Sequence, residues 1–379
     1  MKVIFTCGGT GGHINPAIAV AKRLKERKPN CEILFVGADD GMETKLVPRE
    51  GFALETVTVS NYLRSFTPSA IWHNIQTVGT IRRALKKADR IISEFRPDVI
   101  VGTGGYASFP MLKMGTKRGI PTALHEANAV PGLATRMVCD KVDRILVSFE
   151  ESRKEYKHAD RVIPVGMPVR EEFVYTKKAE ARKELGLDDK PFIVSAWGSL
   201  GAREMNKKIA EFMKLECEEG KYRHVHATGS FGWRWMPDFV KGMGVDPEAQ
   251  DLVTMQEYIY NMPTLMAAAD LFISRAGAST LNEIAAAGTP CIIVPSPNVT
   301  NNHQEKNARI LEQRGAAVVI RESECDGTVL YKKAKEILED RPRREAMTQA
   351  LREMAVIDSA ERILDIVLEL GSSAENSRR

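Results

Sequence analysis

The sequence has no apolar run approaching about 18 residues, the length a bilayer-spanning helix needs, and the apolar run before the first glycines is only Val3-Ile4-Phe5. Neither a membrane span nor a signal peptide is expected. Cysteine is sparse: Cys7, Cys31, Cys139, Cys217, Cys291 and Cys325 stand apart with no C-x-x-C spacing, which argues against a zinc site or a disulfide framework and fits a reducing cytoplasm. Charge of one sign is lacking too, since a net +4 over 379 residues is too mild for an obligate nucleic-acid binder, though compatible with docking on an acidic membrane. The N-terminal glycine loop is not a strict G-x-G-x-x-G, because Ile14 takes the third glycine position counted from Gly9. That weakens a dinucleotide reading, for which Asp39 and Asp40 stand as ribose-binding candidates.

What the chain does have is a rhythm. Short β-branched runs, Val3–Thr6, Ile33–Val36, Val99–Gly102, Thr122–His125, Arg144–Val147 and Val162–Val165, alternate with helical patterns, the mark of parallel βαβ units. After a charged linker around Lys177–Leu185 the rhythm restarts with Phe192–Ala196, His224–Ala227, Asp270–Ser274, Cys291–Val294 and Ala317–Ile320. An α/β chain of two Rossmann-like, doubly wound domains follows, residues 1–164 and 165–354, with the helix at about 355–371 returning to the first. The last helical pattern runs from Arg343 to Leu370 and the tail after Gly371 reads as disordered. Both halves open alike, VIFTCGGTGGH and FIVSAWGSLGA. Open parallel sheets bind at the carboxyl ends of their strands, so the site is expected in a cleft between the two.

Four glycines and a histidine, Gly8-Gly9-Thr10-Gly11-Gly12-His13, separate the first strand from a helix read as starting near Pro16. Glycine lets backbone N–H groups approach an oxyanion, and the helix N-terminus favours it. A second turn, Gly102-Thr103-Gly104-Gly105-Tyr106, belongs beside the first on the same sheet edge. His125-Glu126-Ala127-Asn128 ends another strand, and for His125 two readings stand: ligand contact, or a buried histidine capping the next helix. In the second half Gly198-Ser199-Leu200-Gly201 offers N–H groups and a hydroxyl to a phosphate, with Arg170 adding charge. Ala278-Ser279-Thr280 start a helix in which Glu283 can meet vicinal ribose hydroxyls, and Asn301–Asn307 concentrate amides suited to sugar hydroxyls. No Asp-x-Asp occurs, so if the ligand is a nucleotide diphosphate its charge falls to helix ends and basic side chains, with no metal and no cofactor expected. The stretch Ser69–Lys87 mixes an apolar face with four cations and reads either as a core-facing helix or as an interfacial one.

GGTGGHINPA, GTGGYASFP, HEAN with a later PG, GMPVR, GSLGA, HATG, RAGASTLNE and NHQEKNA occur in one order. Through them the whole chain resembles the MurG family, the bacterial N-acetylglucosaminyltransferases of peptidoglycan synthesis (glycosyltransferase family 28). The resemblance implies a GT-B fold and inverting, metal-independent transfer of N-acetylglucosamine from UDP-N-acetylglucosamine to the 4-hydroxyl of the muramoyl sugar of lipid I, an undecaprenyl-pyrophosphate acceptor, giving lipid II at the cytoplasmic face of the membrane. It implies donor contacts at Arg170, Ser199, the Ile259 backbone, Ala278, Ser279, Thr280, Glu283 and Gln304, shared with Thr10, Gly11, Gly12 and Asn128. Acceptor contacts fall to Gly9, His13, Gly104, Gly105, Tyr106 and His125. His13 is the suggested base, with Glu126 the other catalytic candidate, and Ile71, Trp72, Ile75, Arg82 and Arg83 form the suggested membrane patch. Ala127, Met167 and His303 depart from residues common in the family, which puts fine donor contacts in doubt. Rival readings are a related transferase with another acceptor, a UDP-sugar epimerase, and a non-catalytic sugar-nucleotide-binding subunit.

Overall fold

In the computed structural model, which describes residues 1–59, 68–245 and 252–377, with side chains outside 68–76 and 373–377, the apolar runs assemble into two wholly parallel sheets. The chain divides into two units, Met1–Pro168 with Val356–Arg379, and Val169–Ala355. In the first, β1 (Lys2–Thr6), β2 (Glu32–Ala38), β3 (Ala53–Val57), β4 (Val99–Gly102), β5 (Thr122–Glu126), β6 (Arg144–Val147) and β7 (Val162–Pro164) lie in the order β3-β2-β1-β4-β5-β6-β7. In the second, β8 (Phe192–Ala196), β9 (Arg223–Ala227), β10 (Val253–Gln256), β11 (Leu271–Ser274), β12 (Cys291–Ile293) and β13 (Ala317–Val319) lie in the order β10-β9-β8-β11-β12-β13.

Strand β1 shows why the pattern works. Val3 and Phe5 enter one core and Ile4 the opposite one, all fully buried. A strand sandwiched between two helical layers needs apolar side chains at every position, which is why the run is continuous and not alternating. One face is covered by α1 (Gly11–Arg27) and the C-terminal helix Ser359–Ser377, whose Ile363, Leu364 and Val367 join the core of Val3 and Phe5. The other is covered by α3 (Pro68–Phe95) and α4 (Ser108–Lys117), through Ala88, Ile91, Met111 and Leu112. Each large side chain so buried stabilises the unit by about 1.5–3 kcal/mol. Surface ion pairs such as Arg27 with Asp365 (2.5 Å) and Arg144 with Glu369 (3.1 Å) register the C-terminal helix and add little energy.

The structure corrects two boundaries. Helix α1 begins at Gly11, so His13 lies in its first turn and Pro16 sits inside the helix, unable to donate to the Gly12 carbonyl. The last helical pattern is two helices, Arg341–Met354 and Ser359–Ser377, because the chain passes between units at Ala355 and Val356; the second continues beyond Gly371 through Ser377. In each sheet the strand order reverses at one point. Strand β1 has β2 on one side and β4 on the other, and β8 likewise separates β9 from β11. Ligand crevices of doubly wound sheets open at such points.

Candidate active site

At the switch point of the first unit, Thr6 ends β1 opposite Gly102 ending β4, which sets the two glycine loops side by side. They interlock through backbone. A Cβ on Gly105, at φ +82°, would lie 2.3 Å from the Gly8 carbonyl oxygen, and one on Gly104, at φ +108°, would lie 2.7 Å from the His13 ring. Thr103 Oγ1 donates to the His13 carbonyl at 2.6 Å, and Ser108 Oγ lies 2.9 Å from the Thr6 carbonyl and 2.6 Å from that of Gly104. His13 itself is half-buried, with Nδ1 3.0 Å from the Gly8 carbonyl oxygen. A carbonyl oxygen only accepts, so this contact assigns the proton to Nδ1 and leaves the Nε2 lone pair as the basic atom. Gly9, Thr10 and Tyr106 are exposed, while Gly11 and Gly12 form the first helical residues before His13.

The neighbouring strand end departs from expectation. His125 has no exposed surface; its Nε2 donates to the Gly166 carbonyl at 2.8 Å, its Nδ1 has no partner among the described residues, and burial pulls its pKa down. It is buried, as the second reading had it, but its bond goes to Gly166 and not to the next helix, and it does not line the loop surface, because both faces of β5 are covered. Glu126 is 5% exposed and its carboxylate is fully engaged. One oxygen accepts from the backbone and side-chain nitrogens of Asn128, both at 3.1 Å, and the other from the Gly132 N–H at 3.1 Å and Thr135 Oγ1 at 2.6 Å. That geometry braces the turn into α5 (Leu133–Val138), with four donors on the two carboxylate oxygens.

In the second unit β8 and β11 end together, Ala196 opposite Ser274. The Gly198–Ala202 loop, with Ser199 exposed, interlocks with the turn after β9: a Cβ on Gly201, at φ +78°, would lie 2.2 Å from the Thr228 carbonyl oxygen. Beside it Gly277 caps the helix Ala278–Ala287, whose first N–H groups, at Ala278, Ser279 and Thr280, lack intrahelical acceptors. Glu283 lies one turn on; burial pushes its carboxyl up to about 7 against the pull of the nearby Arg170 guanidinium. Arg170 is exposed, its guanidinium 5.1 Å from the Phe173 ring centre. Gln304 spends its amide oxygen on the N–H groups of Ala276 (3.2 Å) and Ser296 (2.9 Å), which leaves its NH2 to donate. Ile259 is buried between the exposed rings of Tyr258 and Tyr260.

Several features had little or no sequence signal. Glu43, fully buried, reaches from the start of α2 (Glu43–Arg49) to the first glycine loop. A buried chain links Glu216, His224, Ser195, His226 and Asn206, and Asn206 Nδ2 holds the Thr228 carbonyl at 2.8 Å; only the H-x-H alternation in β9 hinted at it. An apolar cavity of about 310 Å³ opens beside Tyr106, lined by Val78 and Ile81 of α3, Phe109 and Pro110 of α4, and Met137. Arg82 and Arg83 are exposed on α3 next to it, and the side chains of Ile71, Trp72 and Ile75 lie outside those described. Among the described residues no helix is long and apolar enough to cross a membrane.

Two doubly wound parallel sheets, each with glycine loops at its switch point, define the GT-B fold. The models of the glycosyltransferase family 28 N-terminal and C-terminal domains match residues 3–147 and 193–363. The chain belongs to glycosyltransferase family 28. It is 42% identical, over 97% of its length and 99% of the relative's, to the UDP-N-acetylglucosamine–N-acetylmuramyl-(pentapeptide) pyrophosphoryl-undecaprenol N-acetylglucosamine transferase of Thermoanaerobacter sp. (strain X514). It is 39% identical to the protein of the same description in Ruminiclostridium cellulolyticum, covering 98% of this chain and all of that one. Among solved structures, Acinetobacter baumannii MurG superposes with a TM-score of 0.76 at 25% identity, over 97% of this chain and 99% of that one.

Proposed function

We propose that the chain transfers N-acetylglucosamine from UDP-N-acetylglucosamine, with inversion, to the 4-hydroxyl of the muramoyl sugar of an undecaprenyl-pyrophosphate acceptor. The observation that carries the reading is the His13 ring, fixed by the Gly8 carbonyl with Nε2 basic and flanked by two backbone-lined loops. In the reaction the acceptor O4 proton passes to His13 Nε2, O4 forms the new bond to the anomeric carbon, and the bond from that carbon to the β-phosphate oxygen breaks with its electron pair, releasing UDP. The departing charge meets Arg170, Ser199 and the N-terminus of the helix Ala278–Ala287, where N–H groups and the helix dipole favour an anion. Glu283 pairs with the ribose hydroxyls, the Ile259 backbone with the uracil, and the Gln304 NH2 with the sugar. Glu126 contributes by holding Asn128 and the turn after it.

Acceptor docking is proposed at the cytoplasmic face of the membrane, where the apolar cavity beside Tyr106 and the cations Arg82 and Arg83 suit an anionic bilayer surface. The deciding assay is UDP release from UDP-N-acetylglucosamine with and without a lipid I analogue. Strict dependence on the analogue, and its conversion to a disaccharide product, is the expected result; equal release without it would favour a hydrolase, and conversion of the UDP-sugar to an isomer without UDP release an epimerase. His13→Ala should lower turnover about 10²- to 10⁴-fold, the usual worth of a general base, and spare UDP binding.

A further inference from the structure

Glu43 is a buried carboxylate that the reaction above does not use. Its oxygens are spent on two backbone N–H groups, that of Ala38 at the end of β2 (2.7 Å) and that of Gly9 in the first glycine loop (3.2 Å). The site is shaped for it. A Cβ on Gly37 would lie 2.3 Å from Glu43 Cγ, one on Gly41 2.1 Å from Oε2, and one on Gly8 2.9 Å from Oε1, so three glycines, one in β2 and two in the loops after β2 and β1, make its room. A joint between a strand and a helix needs no buried charge, and a carboxylate without hydrogen-bond donors would be costly there.

The Gly9 N–H and the Gly8 C=O belong to one peptide unit, which is trans and therefore points them in opposite directions. One end faces Glu43 and the other faces His13 Nδ1 at 3.0 Å. The carboxylate, the peptide and the imidazole thus form a single line of hydrogen bonds, and bonds in such a line polarise one another. We propose that Glu43 is a positioning residue for His13, acting through the Gly8–Gly9 peptide: it fixes the plane of that peptide, so that the Gly8 carbonyl holds the imidazole in its Nδ1–H tautomer with Nε2 turned to the acceptor hydroxyl. This inference rests on the reading of His13 as base.

The full-length protein tests it with Glu43→Gln, Glu43→Asp, His13→Ala and the His13→Ala/Glu43→Gln double variant, all assayed for acceptor-dependent UDP release. Glu43→Gln is expected to lower kcat about tenfold, a fraction of a general base's worth, with the KM for UDP-N-acetylglucosamine unchanged, and Glu43→Asp to recover part of the loss. In the His13→Ala background Glu43→Gln should cost nothing further. An equal fold-loss in both backgrounds would mean that Glu43 acts independently of His13 and would overturn the proposal. Near-native turnover of His13→Ala would instead remove the base reading, and this proposal with it. Should the Glu43 variants fail to fold, nitrogen NMR of histidine-labelled wild-type protein decides: the Nδ1–H tautomer at His13 supports the relay, and a dominant Nε2–H tautomer rejects it.

Discussion

Gly105 and Gly8 meet backbone to backbone, with room for no side chain: a Cβ on Gly105 would stand 2.3 Å from the Gly8 carbonyl oxygen and 2.9 Å from its nitrogen. The same carbonyl receives the His13 ring, so the second glycine loop sets the position of the first.

Gly105→Ala therefore meets both a clash with backbone and a φ of +82°. It should destabilise the first unit by more than the ~1 kcal/mol of a lone left-handed alanine and abolish acceptor-dependent turnover. UDP binding, measured by calorimetry, should persist. In Gly201→Ala, which meets the Thr228 carbonyl, UDP binding should be the function lost.

Glu126 separates a base from a brace. In Glu126→Gln one of the amide's two ends must face N–H or O–H donors with an NH2 group, leaving buried donors unpaired at about 1–3 kcal/mol. The expected signature is a lower melting temperature and a raised acceptor KM, with kcat changed less than in His13→Ala. A loss of kcat as large as that of His13→Ala, at unchanged melting temperature, would return Glu126 to the chemistry.

Glu283 carries a pH dependence of definite sign. Its folded-state pKa of about 7 lies above the ordinary 4.5, so the folded chain binds the proton more tightly than the unfolded one. Its contribution to stability is then full below about pH 4.5 and lost as pH rises through about 7. Glu283→Gln, neutral throughout, should match the wild-type melting temperature near pH 4.5 and exceed it at about pH 8. A wild type that gains on the variant as pH rises would show the carboxylate to be stabilised, contrary to its buried setting.

Arg82 and Arg83 test the docking surface. Reversing both charges should weaken sedimentation with vesicles containing anionic phospholipid and raise the KM for a long-chain acceptor, while a short-chain soluble acceptor is used normally. The effect should shrink as salt rises, since each cation near such a surface is worth about 1 kcal/mol at ordinary ionic strength. Salt-independent binding equal to wild type would place docking elsewhere.

The central strands were readable in the sequence because β1, β4, β5, β8 and β11 are covered on both faces and so carry apolar side chains at consecutive positions, as in Val3-Ile4-Phe5 and Ala123-Leu124. Strands β3 and β10 were not; they are sheet edges, half exposed, and segments such as Ala53-Leu54-Glu55-Thr56-Val57 carry no continuous apolar run. The glycine loops were legible as loops, since only glycine admits the conformations at Gly9, Gly104 and Gly105. Their partners were not. Glu43 lies 34 residues from Gly9, and a glutamate in a sequence gives no sign of the two N–H groups that will bury it.

By itself the sequence determined the α/β class, two doubly wound halves and glycine loops at the carboxyl ends of their strands, because these follow from residue type and local period; the family resemblance came from eight motifs in one order. The tertiary structure decided the rest: that Glu126 is spent on a turn, that His125 is sealed in, and that the proton of His13 belongs on Nδ1. Those outcomes depend on which strand ends adjoin. With β1 between β2 and β4, residues far apart in the chain come within hydrogen-bond reach, and no local pattern records that distance.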